Sequence, residues 1–395
     1  MKICLLNDSF PPLIDGVANT VVNYAEILTK TFGDEVVVAT PKYPHTNYDN
    51  YPYKVIAYQS IATEKIAGYR LGNSYSPEAL FKIAAFSPDI IHTHCPFSSL
   101  LLAKHIRSMV KAPIILTYHT KFDIDIARRV KYKMATNTIV KGLAKFMTIT
   151  DEVWTVSQGA GQSLRNIGYK GDYRIMPNGV DFPKGRIDQE TVNKVTGSYD
   201  LPQGIPIYMF VGRIFKYKGL PLIIDALDRL NKSGRDFRML FIGDGPDLKE
   251  IKKEVQEKGL DSKVIFLGKI MDRDVLRTWY TRGNLFLFPS TYDTNGIVVR
   301  EAAACEVASV LIKDSCAAEG IISERNGFLI EENAESLFEM LYKIGDNLEM
   351  LNKVGINASN ELYMSWEDAV GLARKNYQRV YEENLKKLAE LASAQ

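Results

Sequence analysis

The side chains best placed to do chemistry lie in two polar loops of the second half of the chain. Residues 284–301 read NLFLFPSTYDTNGIVVRE, with Asp293 in the loop, Asn295 and Gly296 closing it, and Glu301 beyond seven intervening residues. That spacing is about two helical turns. The run from Gly296 through Ile297 and Val298 to residue 304 reads as a helix whose first N–H groups point back into the loop. Unpaired amides and the helix dipole together favour an anion there. Two carboxylates flanking an anion site suit a ligand with hydroxyls at both ends and phosphates between, and a nucleotide-sugar is such a ligand. Taken alone, the same residues also fit a capping Asp and a solvated helical Glu. The second loop is GRIFKYKG, which follows the apolar run IYMFV. Its Arg213 offers a planar fork of donors and its Lys218 a point charge, a pair suited to a diphosphate.

The first half holds all five histidines, each before residue 120. His92, His94 and His119 fall at the carboxyl ends of apolar segments, where ligands gather in open parallel sheets. His119 precedes a polar loop and can hydrogen-bond a bound sugar; it can also be a satisfied edge histidine. His92 and His94 share a strand face beside Cys95, yet no further spaced Cys/His cluster completes a metal tetrahedron. Gly16 opens a helix after the loop SFPPLIDG, where a side chain would block close approach of a ligand to the backbone; a plain helix-entry glycine reads the same. Residues 121–145 carry seven basic and two acidic side chains, Arg128, Arg129, Lys131 and Lys133 among them, with apolar positions between. Such a pattern is a membrane-surface element or a solvated basic face.

Positioning these groups requires strands that end beside one another. Short apolar runs at 3–6, 35–40, 54–58, 89–94, 112–119 and 152–156 alternate with helical stretches. The pattern restarts at 206 with IYMFVGR, FRMLFIG, VIFLGK and NLFLF. Sustained alternation predicts an α/β fold of two doubly wound, parallel-sheet units. Polar residues 182–205 contain several Gly and Pro, so the boundary is expected there. The reading is 1–185 for the first domain, 206–364 for the second, and a helix over 365–395 returning to the first.

With 395 residues, 46% hydrophobic content and a net charge of +2, the chain is long enough for two cores and too weakly basic to make nucleic acid its main partner. Basic residues outnumber acidic ones before 185 and the reverse holds after it, so the first half is expected to meet something anionic. Four well-separated cysteines fit a reduced, cytoplasmic setting. No signal-peptide pattern opens the chain, and no apolar run approaches the ~18–20 residues of a membrane span.

Asp15-Gly16-Val17, TYHT with His119, PNGVD, VGRIFKYKG, GDGPD and GIVVREA occur in an order and spacing that resemble the retaining glycosyltransferase family four, of the GT-B fold. HTHCPFS and the basic segment after YHT look most like the bacterial members that glycosylate diacylglycerol on the inner leaflet. The resemblance implies two Rossmann-like domains facing across a cleft, with the acceptor on the first and the donor on the second. It implies transfer of a hexose, with UDP-glucose as the expected donor, to a membrane lipid with anomeric configuration retained. Arg213 and Lys218 would stabilise the leaving diphosphate, Asp293 and His119 would hold the sugar, and Glu301 the ribose. Gly16, Asn295, Gly296, Ile297 and Val298 would line the donor, while Arg128, Arg129, Lys131 and Lys133 would meet an anionic membrane. No metal or other cofactor is implied, and the protein would be cytoplasmic, peripheral at the inner leaflet. A soluble sugar acceptor and a non-catalytic partner subunit are the rival readings. Two departures stand out: Asp293 occupies a place usually held by Glu, and Asn295 one usually held by Phe.

Overall fold

The computed structural model describes residues 1–13, 15–63, 70–119, 133–294 and 296–393, with backbone only at 133–137. The chain forms two compact units, Met1–Asn178 with Trp366–Gln395, and Gly179–Ser365.

In the first unit the strands are β1 (Lys2–Leu6), β2 (Glu35–Pro41) and β3 (Lys54–Tyr58). A short antiparallel pair, β4 (Ser60–Ile61) and β5 (Leu71–Gly72), follows. Then come β6 (Ile90–Thr93), β7 (Ile114–Tyr118), β8 (Glu152–Thr155) and β9 (Arg174–Ile175). The main sheet is parallel in the order β3-β2-β1-β6-β7-β8-β9. Its strands are apolar on both faces because helices cover both: Ile3 to Leu6 and Ile114 to Leu116 are completely buried. The helix Gly16–Lys30 starts where Asp15 Oδ1 accepts from the amides of Val17 and Ala18 at 2.9 and 2.7 Å, a side-chain cap of the usual kind.

The second unit contains β10 (Ile207–Val211), β11 (Arg238–Ile242), β12 (Val264–Gly268), β13 (Leu285–Phe288), β14 (Ala308–Ile312) and β15 (Phe328–Ile330). They pair in parallel in the order β12-β11-β10-β13-β14-β15. Its core is rich in rings: Phe286 and Phe288 stack at 5.6 Å and Phe241 and Phe266 at 5.2 Å. Among the described residues no helix is long and apolar enough to cross a membrane.

The helix Trp366–Ser393 belongs to the first unit. Trp366, Ala369, Val370, Ala373, Tyr377 and Val380 form its buried stripe, at the spacing of one helical face. Arg374 grips Asp34 at 2.7 and 3.1 Å and Arg379 pairs with Glu152. The first boundary differs from expectation. The first unit ends at Asn178, not at 185, and 179–205 is part of the second unit rather than a linker. Residues Gln189–Thr196 form a helix that packs on the helix Arg273–Arg282. Arg186 Nη2 donates to the Thr281 carbonyl at 2.5 Å, and Tyr199 meets Trp279 edge-on at 5.1 Å. The polar composition of this segment reflects one solvated face.

Candidate functional site

Both sheets reverse their strand order beside their first strand, between β1 and β6 in one and between β10 and β13 in the other. Such a switch point splays the loops at the carboxyl ends and opens a crevice for ligands. The loops flanking the second switch point are 212–219 and 289–296, the two that carry Arg213, Lys218 and Asp293. They touch through backbone. Gly219 has φ 81°, and a Cβ there would collide with the Pro289 carbonyl oxygen, so only glycine lets the loops close on each other.

This closure brings two of the expected residues, Lys218 and Asp293, together. Lys218 Nζ lies 2.9 and 3.2 Å from the two oxygens of Asp293, and Ser290 Oγ donates to Asp293 Oδ2 at 2.5 Å. Asp293 is therefore a clamped, half-buried carboxylate, not an exposed loop tip. Lys218 also lies 5.4 Å from the Phe288 ring centroid. Arg213 stacks over Phe215 at 4.8 Å, Phe215 stacks on Tyr217 at 4.8 Å, and Tyr217 meets Tyr292 at 5.0 Å. That aromatic chain ties the two loops together a second time. Gly296 has φ 56° and ψ 53°, and the helix Ile297–Ala304 begins there without a side-chain cap. Val299 N donates to the Gly296 carbonyl at 2.8 Å, and no N-cap side chain takes the amides of Ile297 and Val298, the groups that an anion at this helix start would meet. Asn295 lies outside the described residues.

Glu301 is buried, not solvated, at 5% exposure. Its Oε1 accepts from Arg273 Nη2 at 2.6 Å and its Oε2 from Tyr280 Oη at 3.1 Å. Burial pushes its carboxyl above the ordinary carboxylate range, and the Arg273 charge works against that rise.

At the carboxyl ends of β6 and β7 the groups are imidazoles bonded to neutral partners. His92 Nδ1 lies 2.5 Å from Tyr377 Oη and its Nε2 lies 2.7 Å from Thr117 Oγ1. His94 Nδ1 lies 3.0 Å from His119 Nε2, with the rings stacked at 5.3 Å. Burial drives all three imidazoles to the neutral form, with His119 pushed down to about 3. Both nitrogens of His92 are taken by protein partners, and among the described residues no His/Cys/Asp/Glu group is arranged for a metal. Gly16 is exposed and no atom stands within 4 Å of where its Cβ would be, so nothing in the protein itself demands glycine there. Arg128, Arg129 and Lys131 lie outside the described residues, and Lys133 is seen only as the first residue of the helix Lys133–Met147.

Three residues of these strand ends escaped the sequence reading. Arg273 and Tyr280 hold Glu301 from a helix 28 and 21 positions away, a separation at which spacing carries no signal. Asp8 lies two residues beyond β1 and is buried, accepting from Ser98 Oγ and, at 3.0 and 2.7 Å, from the Ser99 amide and hydroxyl. Its position just past an apolar strand was the available cue.

The fold is that of the GT-B class, two Rossmann-like units each built on a parallel sheet. Solved structures agree with it over nearly the whole chain. HepE of Anabaena in complex with UDP and glucose matches with a TM-score of 0.70 at 16% identity, covering 98% of this chain and 99% of the other. Sucrose-phosphate synthase of Thermosynechococcus elongatus gives 0.75 at 21%, covering 97% and 99%. Residues 14–183 match the family description "Glycosyltransferase Family 4" and residues 193–361 match "Glycosyl transferases group 1". Both halves of the chain thus match glycosyltransferase models, and together they support a glycosyltransferase of family four. The chain is similar to alpha-monoglucosyldiacylglycerol synthase of Acholeplasma laidlawii, 25% identical over 91% of this chain and 92% of that protein. It is also similar to the synthase of the same name from Streptococcus pneumoniae, 25% identical over 77% and 69%.

Proposed function

We propose that this glycosyltransferase moves a hexose from a nucleotide-diphosphate sugar, with UDP-glucose the expected donor, to a membrane lipid such as diacylglycerol, with anomeric configuration retained. The observation that carries the reading is the meeting of Lys218 with Asp293 at the second switch point, on the two loops that also carry Arg213 and lead into the uncapped helix Ile297–Ala304. As the anomeric bond breaks, negative charge grows on the departing diphosphate and positive character on the sugar carbon. The two cations and the first-turn amides are fixed before the charge appears, the arrangement that contributes about 10²–10³-fold per donor. Lys218 is held by Asp293 in this structure, so the arriving phosphate shares that cation with the carboxylate. Asp293 would then take sugar hydroxyls with the acceptor positions left on its oxygens. His119, neutral, would donate to or accept from a sugar hydroxyl without adding charge. Gly16 would leave room for the diphosphate.

The lipid acceptor draws its support from the two glucosyldiacylglycerol synthases among the relatives and from the basic segment containing Arg128, Arg129, Lys131 and Lys133. In this reading the protein works from the cytoplasm as a peripheral enzyme of the inner leaflet. The test is product analysis with UDP-, GDP- and ADP-sugars against diacylglycerol in mixed vesicles and a panel of soluble sugars. Alpha-glycosyl diacylglycerol is the expected product. Transfer to soluble sugars alone would leave the donor chemistry standing and remove the lipid; release of no nucleotide with any pair would point to a non-catalytic subunit. Pelleting with anionic vesicles, lost near 1 M salt where the screening length falls to about 3 Å, is the matching binding result.

A further inference from the structure

Glu301 is held directly by one helix besides its own and, through that helix, by the segment that enters this unit. Its side chain is 7% exposed, and each oxygen already accepts one hydrogen bond, Oε1 from Arg273 and Oε2 from Tyr280. An ionised carboxylate has about four acceptor positions, so about two remain, one on each oxygen. Two acceptors a carboxylate's width apart match the vicinal hydroxyls of a ribose. Arg273 is itself fixed. Its Nε donates to Asp181 Oδ2 at 3.0 Å and its guanidinium lies 4.3 Å from the centroid of the Phe182 ring. Asp181 and Phe182 come from the segment that enters this unit, Arg273 and Tyr280 from the helix Arg273–Arg282, and Glu301 from the helix Ile297–Ala304.

We infer that Arg273 is a positioning residue for the ribose of the donor: bridging Asp181 and Glu301, it keeps the Glu301 carboxylate ionised and turned so that it accepts from both ribose hydroxyls. This deepens, and rests on, the reading that Glu301 holds the ribose. The charged groups around Glu301 leave Arg273 as the one that favours ionisation. Asp181 shares the Arg273 guanidinium with Glu301 and by itself raises the Glu301 carboxyl. Burial keeps Tyr280 and Cys305 protonated. With Arg273 gone, a buried Glu301 takes up a proton, one oxygen becomes a donor, and the match to two hydroxyls is lost.

The test is calorimetric titration of the full chain with UDP, GDP and ADP and with their 2′-deoxy counterparts. For the nucleotide that binds best, wild type is expected to lose about tenfold on removal of the 2′-hydroxyl. Arg273→Gln is expected to weaken the ribonucleotide by about tenfold and the deoxynucleotide much less, with the loss deepening as pH is lowered from about 8 to about 6. KM for the donor sugar should rise more than kcat falls, and Arg273→Lys should recover part of the loss. Should Arg273→Gln fold poorly, Asp181→Asn, which loosens Arg273 without touching Glu301, is expected to give a smaller loss of the same ribose-dependent kind. Equal losses for ribo- and deoxynucleotide, unchanged affinity, or tighter binding in Arg273→Gln would overturn the inference. Glu301→Gln separates the two claims. If it keeps the wild-type preference for ribose, the ribose reading itself fails; if it loses that preference while both Arg273 variants keep it, only the role of Arg273 fails.

Discussion

At the switch point of the second sheet the side chains are charged and braced: Arg213 on Phe215 of its own loop, Lys218 on Asp293 of the neighbouring loop, Glu301 on Arg273 of another helix. At the ends of β6 and β7 in the first sheet they are neutral and hydrogen-bonded within that unit: His92 to Tyr377 and Thr117, His94 to His119. The two sheets share parallel pairing and a switch point beside their first strand, so the backbone does not dictate the difference. Preorganised charge suits a group whose charge changes during reaction. Neutral imidazoles suit uncharged hydroxyls, which need a hydrogen bond and would gain little from an ion.

The sharpest break in that comparison comes from the charged end. Arg213→Ala and Lys218→Ala are each expected to lower donor turnover by about 10²–10³-fold, with melting temperature little changed because neither side chain is part of the apolar core. A wild-type rate in either variant would remove the leaving-group role. At the neutral end, His119→Ala should lower turnover by about tenfold, the scale of one neutral hydrogen bond. Affinity for the free nucleotide should stay at the wild-type level; loss of that affinity would place His119 among the phosphate ligands instead.

Acid should also tell the units apart. The second unit has no histidine. In the first, the folded state keeps His92, His94 and His119 neutral, so below their ordinary value near 6.5 the unfolded chain binds protons that the folded chain refuses. Their contribution is complete at neutral pH and is lost as pH falls from about 6.5 toward the depressed folded values, about 3 for His119. Asp8, whose carboxyl burial pushes up, works in the opposite direction as one group against three. Hydrogen exchange near pH 5 should therefore speed up in β6 and β7 before β10 and β13, and His94→Asn should flatten that pH dependence. Equal acceleration in both sheets would count against it. The smallest expected effect is none: because the cations are side chains, EDTA should leave the transfer rate unchanged, and a chelator-sensitive rate would show that the second unit's charge is incomplete without a metal ion.

Much of this comparison could be read before any coordinates. Unbroken apolar runs such as LFLF and IYMFV announced buried parallel strands, and a polar loop after each placed Arg213, Lys218 and Asp293 at strand ends. What stayed hidden was long-range. The pairing of Lys218 with Asp293 spans 75 positions and that of Arg273 with Glu301 spans 28, so each looked like an independent charge. The helix Leu348–Leu362 was not anticipated because its Gly, Ser and three Asn residues weaken helix propensity, and packing against β14 and the helix Ile297–Ala304 overrides them. The helix Gln189–Thr196 leaves as little trace in the sequence for the matching reason, since it buries only Val192 and Thr196.

The placement of Trp366–Ser393 in the first unit has a consequence for biosynthesis. During translation, 1–178 emerges with Asp34 lacking Arg374, Glu152 lacking Arg379, and His92 lacking the Tyr377 hydroxyl. The second unit, contiguous from Gly179 to Ser365, has all its strands outside the ribosome earlier than the first unit has its last helix. The half that is made first is thus the half that matures last, and a chain released at residue 365 would carry all of the second unit joined to an unfinished first one.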